Sequence, residues 1–158
     1  MHKIIISLSL LTSITLAEEN YTFIGVETSF VKYKNVSSPS VGLKYGVQNK
    51  MWRSSLSLEY AKDGQDSLTS FIFQADRGVL KNSVKNSNFK PHIGFSVASI
   101  QHKNSKTERG FGYGVNTGVT YLLNQKVDLD LTYRYMKVNQ IDALDSINNL
   151  NLSLHYFY

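Results

Sequence analysis

Apolar and polar residues alternate along two neighbouring stretches of the chain, residues 111–121 and 127–136. Side chains of a β-strand point alternately to opposite faces, so each stretch predicts a strand with one apolar face and one polar face. The polar joint between them, residues 123–126, is short enough to make the pair a β-hairpin. The apolar face carries aromatic and aliphatic side chains without charge, whereas the other face carries glycines, acids and an arginine.

This hairpin has two interpretations, which differ in what the apolar face contacts. In a soluble β-sandwich the apolar face packs in the core and the polar face is solvated. In a transmembrane β-barrel the apolar face contacts lipid and the polar face fills the lumen. Aromatic residues near the strand ends favour the membrane, because such rings collect at the interfaces of a bilayer. These residues are Phe111, Tyr121, Tyr133 and Tyr135.

The composition limits the class of protein. A chain of 158 residues is expected to form one domain, and its net charge of +5 comes from bases that are scattered rather than clustered on one element. Scattered bases do not indicate a nucleic-acid partner. The chain has no cysteine, which excludes disulfides and cysteine-based metal sites, while its ten tyrosines and two prolines suit a strand-rich fold.

The first 17 residues have the features of a secretory signal peptide. A short basic start is followed by an apolar run from Ile4 to Leu16, and Thr15 and Ala17 are small residues at the spacing that signal peptidase requires. The run is too short, and too rich in Ser and Thr, to span about 30 Å of hydrocarbon. We therefore predict a signal peptide at residues 1–17 and a mature domain at residues 18–158.

The mature chain consists of alternating segments of about 9–12 residues, the length that a tilted strand needs to cross a bilayer. Because their number is even, the first and last strands can pair antiparallel and close the sheet without an edge. The predicted fold is an all-β, eight-stranded antiparallel up-and-down transmembrane β-barrel with both termini in the periplasm. The predicted strands cover residues 21–31, 41–47, 52–61, 67–78, 89–100, 111–121, 127–136 and 149–158. The longer predicted loops are residues 34–40, 81–88, 101–110 and 139–146.

Several parts of the sequence carry a family resemblance. They are Phe23–Val26, Lys90–Gly94, Gly112–Tyr121 with Leu129–Tyr135, and the terminal Tyr158. In their order and spacing they resemble the small outer-membrane β-barrels of Gram-negative bacteria, of the OmpA-like and opacity-protein kind. The resemblance covers essentially the whole mature chain and implies a monomer in the outer membrane, in contact with membrane lipid and lipopolysaccharide. No peptidoglycan-binding domain is expected after the barrel.

The terminal strand adds a feature that the resemblance implies. In such proteins a C-terminal aromatic residue preceded by alternating apolar residues resembles the signal read by the barrel-assembly machinery. Leu154, Tyr156 and Tyr158 fit this pattern, although most relatives end in Phe. The assembly machinery and periplasmic chaperones are therefore expected partners during biogenesis.

Charged residues recur on the face that is predicted to line the lumen. Isolated charges in so narrow an interior are costly, so these side chains are expected to pair and hydrogen-bond. We predict a pair between Arg53 and Asp128, because both residues open strands that start on the same side of the barrel. The network is interpreted as a salt-bridged plug or as a narrow, gated ion path. Its predicted members are Glu27, Lys44, Arg53, Glu59, Asp76, His92, Asp128, Asp130 and Arg134, with His155 on the same face.

The sequence gives little support for a metal site, a cofactor or an enzyme. His92 and His155 lie on different predicted strands with no third ligand evident. Some small outer-membrane barrels are lipid A deacylases with a His-x-Ser on a strand, whereas His155 is followed by Tyr156 and Phe157. Others are acyltransferases that begin with an amphipathic helix, whereas residues 18–20 lead directly into the first strand. We therefore predict no catalytic, cofactor-binding or metal-binding residues.

Alternatives remain for both fold and function. A lipocalin-type soluble barrel also has eight strands, but the Gly-x-Trp near the first strand of lipocalins is absent and Trp52 is the only tryptophan. The first function is a structural or surface-interaction protein whose loops contact a host molecule, a phage or lipopolysaccharide, with the basic segment 101–110 as one contact. The alternative is a small pore of narrow conductance. Conductance in planar bilayers distinguishes the two.

Overall fold

A computed structural model describes residues 20–33, 36–79, 88–142 and 144–158, with the backbone alone at Val36. The described residues form a closed barrel of eight strands, each paired antiparallel with its two neighbours. The predicted all-β, eight-stranded antiparallel barrel is therefore confirmed. The strands are β1 (Tyr21–Tyr33), β2 (Val36–Gln48), β3 (Trp52–Asp63), β4 (Asp66–Gly78), β5 (Phe89–Lys103), β6 (Thr107–Leu122), β7 (Val127–Asn139) and β8 (Ser146–Phe157).

The last strand closes the barrel by pairing antiparallel with the first, as the sequence predicts. Phe23 pairs with Phe157 at one end of this seam, and Tyr33 pairs with Ile147 at the other. Beyond the seam, the amide of Tyr158 donates a hydrogen bond of 3.1 Å to a carbonyl of β1. Since every one of the eight described strands has two partners, the described sheet has no edge with unpaired N–H and C=O groups.

The predicted loop at residues 34–40 is wrong for residues 36–40, which begin β2. Pro39 suggested a loop because proline cannot donate a ladder hydrogen bond. The ladder between β2 and β3 begins only at Ser40, however, so Pro39 lies where β2 pairs with β1 alone. Proline is tolerated at such a one-sided position. Residues 34–35 lie outside the described residues.

The predicted loops at residues 101–110 and 139–146 are too long. β5 and β6 continue towards each other and leave residues 104–106 as the turn, and the last loop is reduced to residues 140–145. The outward side chains of these strand ends are polar, as at Gln101. The alternation of apolar and polar residues that reveals a strand is therefore lost there.

The two ends of the barrel are named here by the chain termini. The terminal end carries Asn20 and Tyr158 and the joints β2–β3, β4–β5 and β6–β7. The distal end carries the joints β1–β2, β3–β4, β5–β6 and β7–β8. In the β3–β4 turn Gly64 has a φ of 57°, which glycine adopts without strain.

Two predictions fall outside the described part of the chain. They are the signal peptide at residues 1–17 and residues 81–87 of the predicted loop 81–88. Both stay predictions. In the ranges that the structure describes, no helix has the length and hydropathy required to cross a membrane.

The outer and inner faces of the barrel separate as the alternation predicts. Outward apolar side chains lie on the surface: Leu43 is 66% exposed and Leu131 is 46% exposed. Inward neighbours are buried, and Thr132 is 0% exposed. So large an apolar surface is costly in water and fits a lipid environment.

Candidate functional site in the barrel lumen

The interior divides into two regions of different chemistry. The polar region extends from the terminal end to the middle of the barrel and is formed by the nine predicted network residues with His155. Each of the nine faces inward and is at most 9% exposed. The apolar region occupies the distal end and has no counterpart among the sequence predictions.

Arg53, on β3, is the centre of the polar region near the terminal end. Its Nη2 lies 2.6 Å from Asp128 Oδ2, which is the pair that the sequence predicts. Its Nη1 lies 3.3 Å from Asp130 Oδ2, and its Nε donates to Gln48 Oε1 at 2.7 Å. The guanidinium thus links strands on opposite sides of the lumen, β3 and β7, through charge-assisted hydrogen bonds.

Two histidines also contact the same two carboxylates. His155 Nδ1 lies 2.7 Å from Asp128 Oδ1, and His92 Nε2 lies 3.0 Å from Asp130 Oδ2. Thr120 donates its hydroxyl to Asp130 Oδ2 at 2.7 Å. Imidazole and hydroxyl donors therefore supplement Arg53 in satisfying two buried acids.

Arg134 forms a second centre in the middle of the barrel and is fully buried. Its Nη1 donates to Glu59 Oε1 at 2.7 Å, and its Nη2 donates to Gln74 Oε1 at 2.6 Å. Asn149 donates to the other oxygen of Glu59 at 2.8 Å. This centre joins β3, β4, β7 and β8 across the lumen.

The remaining predicted residues lie beside these two centres. Lys44 Nζ lies 2.9 Å from Glu27 Oε2 and donates to Ser153 Oγ at 3.3 Å. Asp76 accepts hydrogen bonds from the side-chain amides of Gln74 and Asn116. All nine predicted residues are therefore connected to a polar partner.

The network contains three cations and five acids, so ion pairs alone cannot satisfy the acids. Neutral donors on the same inward face meet the excess, and sequence reasoning missed them because it considered charged residues. The signal that could have found them is their position in the two-residue repeat, since they occupy inward positions that alternate with lipid-facing residues. They are Gln74, Asn116, Thr120, Thr132, Asn149 and Ser153.

The apolar region fills the lumen at the distal end like the core of a soluble protein. Its side chains come from inward positions of the strands and from the β7–β8 loop, and all are nearly fully buried. Buried apolar clusters of this kind generally leave few voids larger than a water molecule. The members are Val31, Tyr33, Ala61, Leu68, Ile72, Ala98, Ile100, Met136, Val138, Ile141, Leu144 and Ile147.

The β7–β8 loop covers the distal mouth. Ile141 and Leu144 turn inward and are buried in the apolar region. The amide of Leu144 donates to the carbonyl of Ile141 at 3.0 Å, and the amide of Val138 donates to the carbonyl of Asp145 at 3.0 Å. Gln140 enters the loop with a φ of 68°, which redirects the chain over the mouth.

The two regions meet at a narrow junction. A cavity of about 10 Å³ lies there, with Glu59 and Asn149 on one side and Met136 and Ile147 on the other. Such a space holds at most about one water molecule.

The described residues contain no group of three or more His, Cys, Asp or Glu side chains arranged to hold a metal ion. The three residues of the predicted assembly signal, Leu154, Tyr156 and Tyr158, face outward on or just beyond β8 and are exposed. Their exposure places them where the membrane or an assembly factor can contact them.

A closed barrel with an apolar outer belt and a paired, charged interior defines a small integral barrel of the bacterial outer membrane. The family model described as Opacity family porin protein matches residues 20–156, and the chain belongs to that family. The predicted resemblance and the Gram-negative outer-membrane location are confirmed.

Solved structures agree with this assignment of the fold. Neisserial surface protein A is 19% identical with a TM-score of 0.70, over 88% of this chain and 97% of that chain. OprH from Pseudomonas aeruginosa is 15% identical with a TM-score of 0.65, over 90% and 100%. Ail from Yersinia pestis is 15% identical with a TM-score of 0.53, over 90% and 100%. Comparison with curated proteins gave no match.

Proposed function

We propose that this outer-membrane barrel has a structural or surface-interaction role and that its lumen is closed to ions. The observation that carries the proposal is the filling of the lumen by two regions in series. Ions entering from the terminal end meet a network whose charges are already paired. Ions entering from the distal end meet an apolar constriction, which excludes hydrated ions.

The distal end is the proposed site of surface contacts. In the orientation that the sequence predicts, both termini are periplasmic and the distal end faces the exterior. Outward-facing cations surround this end just beyond the apolar belt and are exposed. They form a basic girdle, defined by Lys32, Lys62, Lys103, Arg109 and Lys137.

The register of the strands places members of the basic girdle at one level. Ser67 pairs with Lys62 on one side and with Lys103 on the other, and Gln101 pairs with Arg109. Cations at the membrane boundary attract phosphate groups. The position of the basic girdle therefore supports lipopolysaccharide and outer-membrane lipid as partners. A host or phage ligand would contact the loops farther from the membrane.

Biogenesis is proposed to depend on the terminal strand, through periplasmic chaperones and the barrel-assembly machinery. Deleting residues 156–158 removes the last pairs of the β1–β8 seam and the terminal aromatic residues. Unpaired backbone groups in lipid cost several kcal/mol each. We expect the truncated protein to accumulate in the periplasm and be degraded, as measured by cell fractionation.

The matched control for this truncation is Tyr158→Phe, which keeps an aromatic terminus and should assemble normally. Normal assembly of the truncated form would contradict the proposed role of the strand. No catalytic role and no nucleic-acid partner are proposed, and the protein is proposed to act as a monomer.

A narrow pore is the alternative function, and the word porin in the family description favours it. Conductance of the purified, refolded protein in planar bilayers separates the two. A closed lumen predicts a current equal to that of the protein-free bilayer, with an open porin as the positive control. Discrete, voltage-independent steps that scale with salt concentration would contradict the closed lumen and support the pore.

A further inference from the structure

A cavity of about 210 Å³ opens at the terminal end of the barrel. Its rim carries Lys50 of the β2–β3 turn and Lys90 of β5, and both are exposed. Arg53 and His92 contribute to its floor and are buried. Liquid water occupies about 30 Å³ per molecule, so the cavity accommodates several waters or one small ligand group.

Positive charge predominates among the residues that line this cavity. Asp76 is the one acid among the described residues of the lining, and its carboxylate already accepts two hydrogen bonds from neighbouring amides. Arg53 is occupied by the carboxylates of the network. Lys50 and Lys90 form no ion pair with any carboxylate in the described part of the chain. Their charge is therefore available to an anion in the cavity.

The imidazole of His92, in the floor, has one nitrogen that is buried and unsatisfied. His92 is 7% exposed, and its Nε2 is held by Asp130 at 3.0 Å. Among the described residues its Nδ1 has no hydrogen-bond partner, and the carboxylate oxygen Asp76 Oδ1 is 3.8 Å away. Buried polar atoms are rarely left without a partner. This nitrogen accepts a hydrogen bond when the ring is neutral and donates one when the ring is charged.

We propose that the cavity binds a phosphate-bearing group. Lysines bind phosphate as point charges, and both rim lysines can reach the mouth of the same cavity. Near neutral pH a phosphate monoester exists with and without a P–OH, because its second pKa is about 6. It can therefore satisfy His92 Nδ1 in either protonation state, whereas an ionised carboxylate only accepts hydrogen bonds.

The phosphate has two possible sources, a soluble phosphate monoester or inorganic phosphate, and the headgroup of a membrane lipid. The lipid phosphate is a diester without a P–OH, so it pairs with His92 Nδ1 only when the ring is charged and donates. Trp52 also lines the cavity and is an exposed, outward-facing aromatic residue beside Arg77. Aromatic residues of this kind mark the membrane interface. The rim therefore lies near the level of the headgroups, and a lipid phosphate can reach it from the side.

Binding is tested with the refolded protein in zwitterionic micelles by following the imidazole resonances of His92 by NMR. Inorganic phosphate is added at constant ionic strength, so that screening does not change. The soluble source predicts a saturable shift of His92 and none of His102, which lies at the distal end. In a parallel arm, the protein is placed in nanodiscs of phosphatidylcholine with and without phosphatidylglycerol. The lipid source predicts the shift with phosphatidylglycerol.

Variants identify the site of binding. Lys50→Ala with Lys90→Ala should weaken the saturable shift at least tenfold. Lys126→Ala is the matched control, since Lys126 is exposed at the same end but does not line the cavity, and it should change affinity less than twofold. A shift with either probe that the double variant weakens supports the proposal and names the source. No saturable shift with either probe, or equal binding by the double variant, would overturn it.

Discussion

The polar and apolar regions fill the same closed sheet by different physical means. In the polar region, buried charges are compensated by partners on several strands, as for Arg134 with Glu59 and Gln74. In the apolar region, side chains such as Ile72 and Ile100 pack together without polar partners. The comparison indicates that charge pairing links strands across the lumen, while apolar side chains pack together at the distal mouth.

The two regions should respond differently to substitution. A buried charge that loses its partner is left in a low-dielectric interior, so the cost is large and depends on the partner. An apolar side chain that loses a methyl group leaves a small cavity, so the cost is smaller and depends on volume. Substitutions in each region and on the lipid face measure this difference.

The largest expected effect is in the polar region. Arg134→Met should lower the free energy of unfolding by about 3–5 kcal/mol, because Glu59 is left charged, buried and without its cation. The measurement is urea unfolding in lipid vesicles. Combining Arg134→Met with Glu59→Gln removes both charges and should recover part of this loss. If the double variant is no more stable than the single one, the ion pair does not dominate the energetics of this centre.

The lipid face should give the next largest effect and tests the assignment of the two faces. Leu131→Arg should cost about 2–4 kcal/mol, because it places a charge near the middle of the hydrocarbon. The neighbouring Thr132→Arg places the same residue in the lumen and should act through crowding of the buried network. Folding of Leu131→Arg into bilayers with wild-type stability would mean that the faces are assigned in reverse.

The smallest expected effect lies in the apolar region. Ile72→Val should cost about 0.5–1.5 kcal/mol, as expected for one buried methyl group. Ile24→Val is the matched control, because Ile24 is outward-facing and exposed, and it should be nearly neutral. Both are measured by the same unfolding titration. Equal effects of the two variants would show that the apolar region is not packed as a core.

The strand pattern and the facing of residues could be predicted from the sequence because lipid and lumen impose a strict period of two. Leu131, which is exposed, and Thr132, which is buried, show this alternation. The pair Arg53–Asp128 could be predicted for a different reason, because both residues lie near the start of strands that begin at the same end of the barrel. The sequence could not predict which neutral inward residues contact the buried acids. Which Thr or Asn reaches a carboxylate depends on the stagger of strands across the lumen.

The apolar region could not be predicted for a related reason. Ile72 and Ala98 lie at inward positions, where the general pattern of barrels leads one to expect polar side chains. Ile141 and Leu144 lie within a predicted loop, and their burial depends on how the β7–β8 loop folds back over the mouth. Such tertiary contacts leave no periodic signal in the sequence.

The central claim is that water enters the lumen from the terminal end and stops at the apolar region. The chain has no cysteine, so single introduced thiols report accessibility without background. Lys90→Cys lies at the rim of the terminal cavity, and Ala98→Cys lies in the apolar region. With a small, membrane-impermeant thiol reagent, Lys90→Cys in the folded protein should react as fast as it does in urea. Ala98→Cys should react only after unfolding, and comparable rates at both positions in the folded barrel would contradict the account.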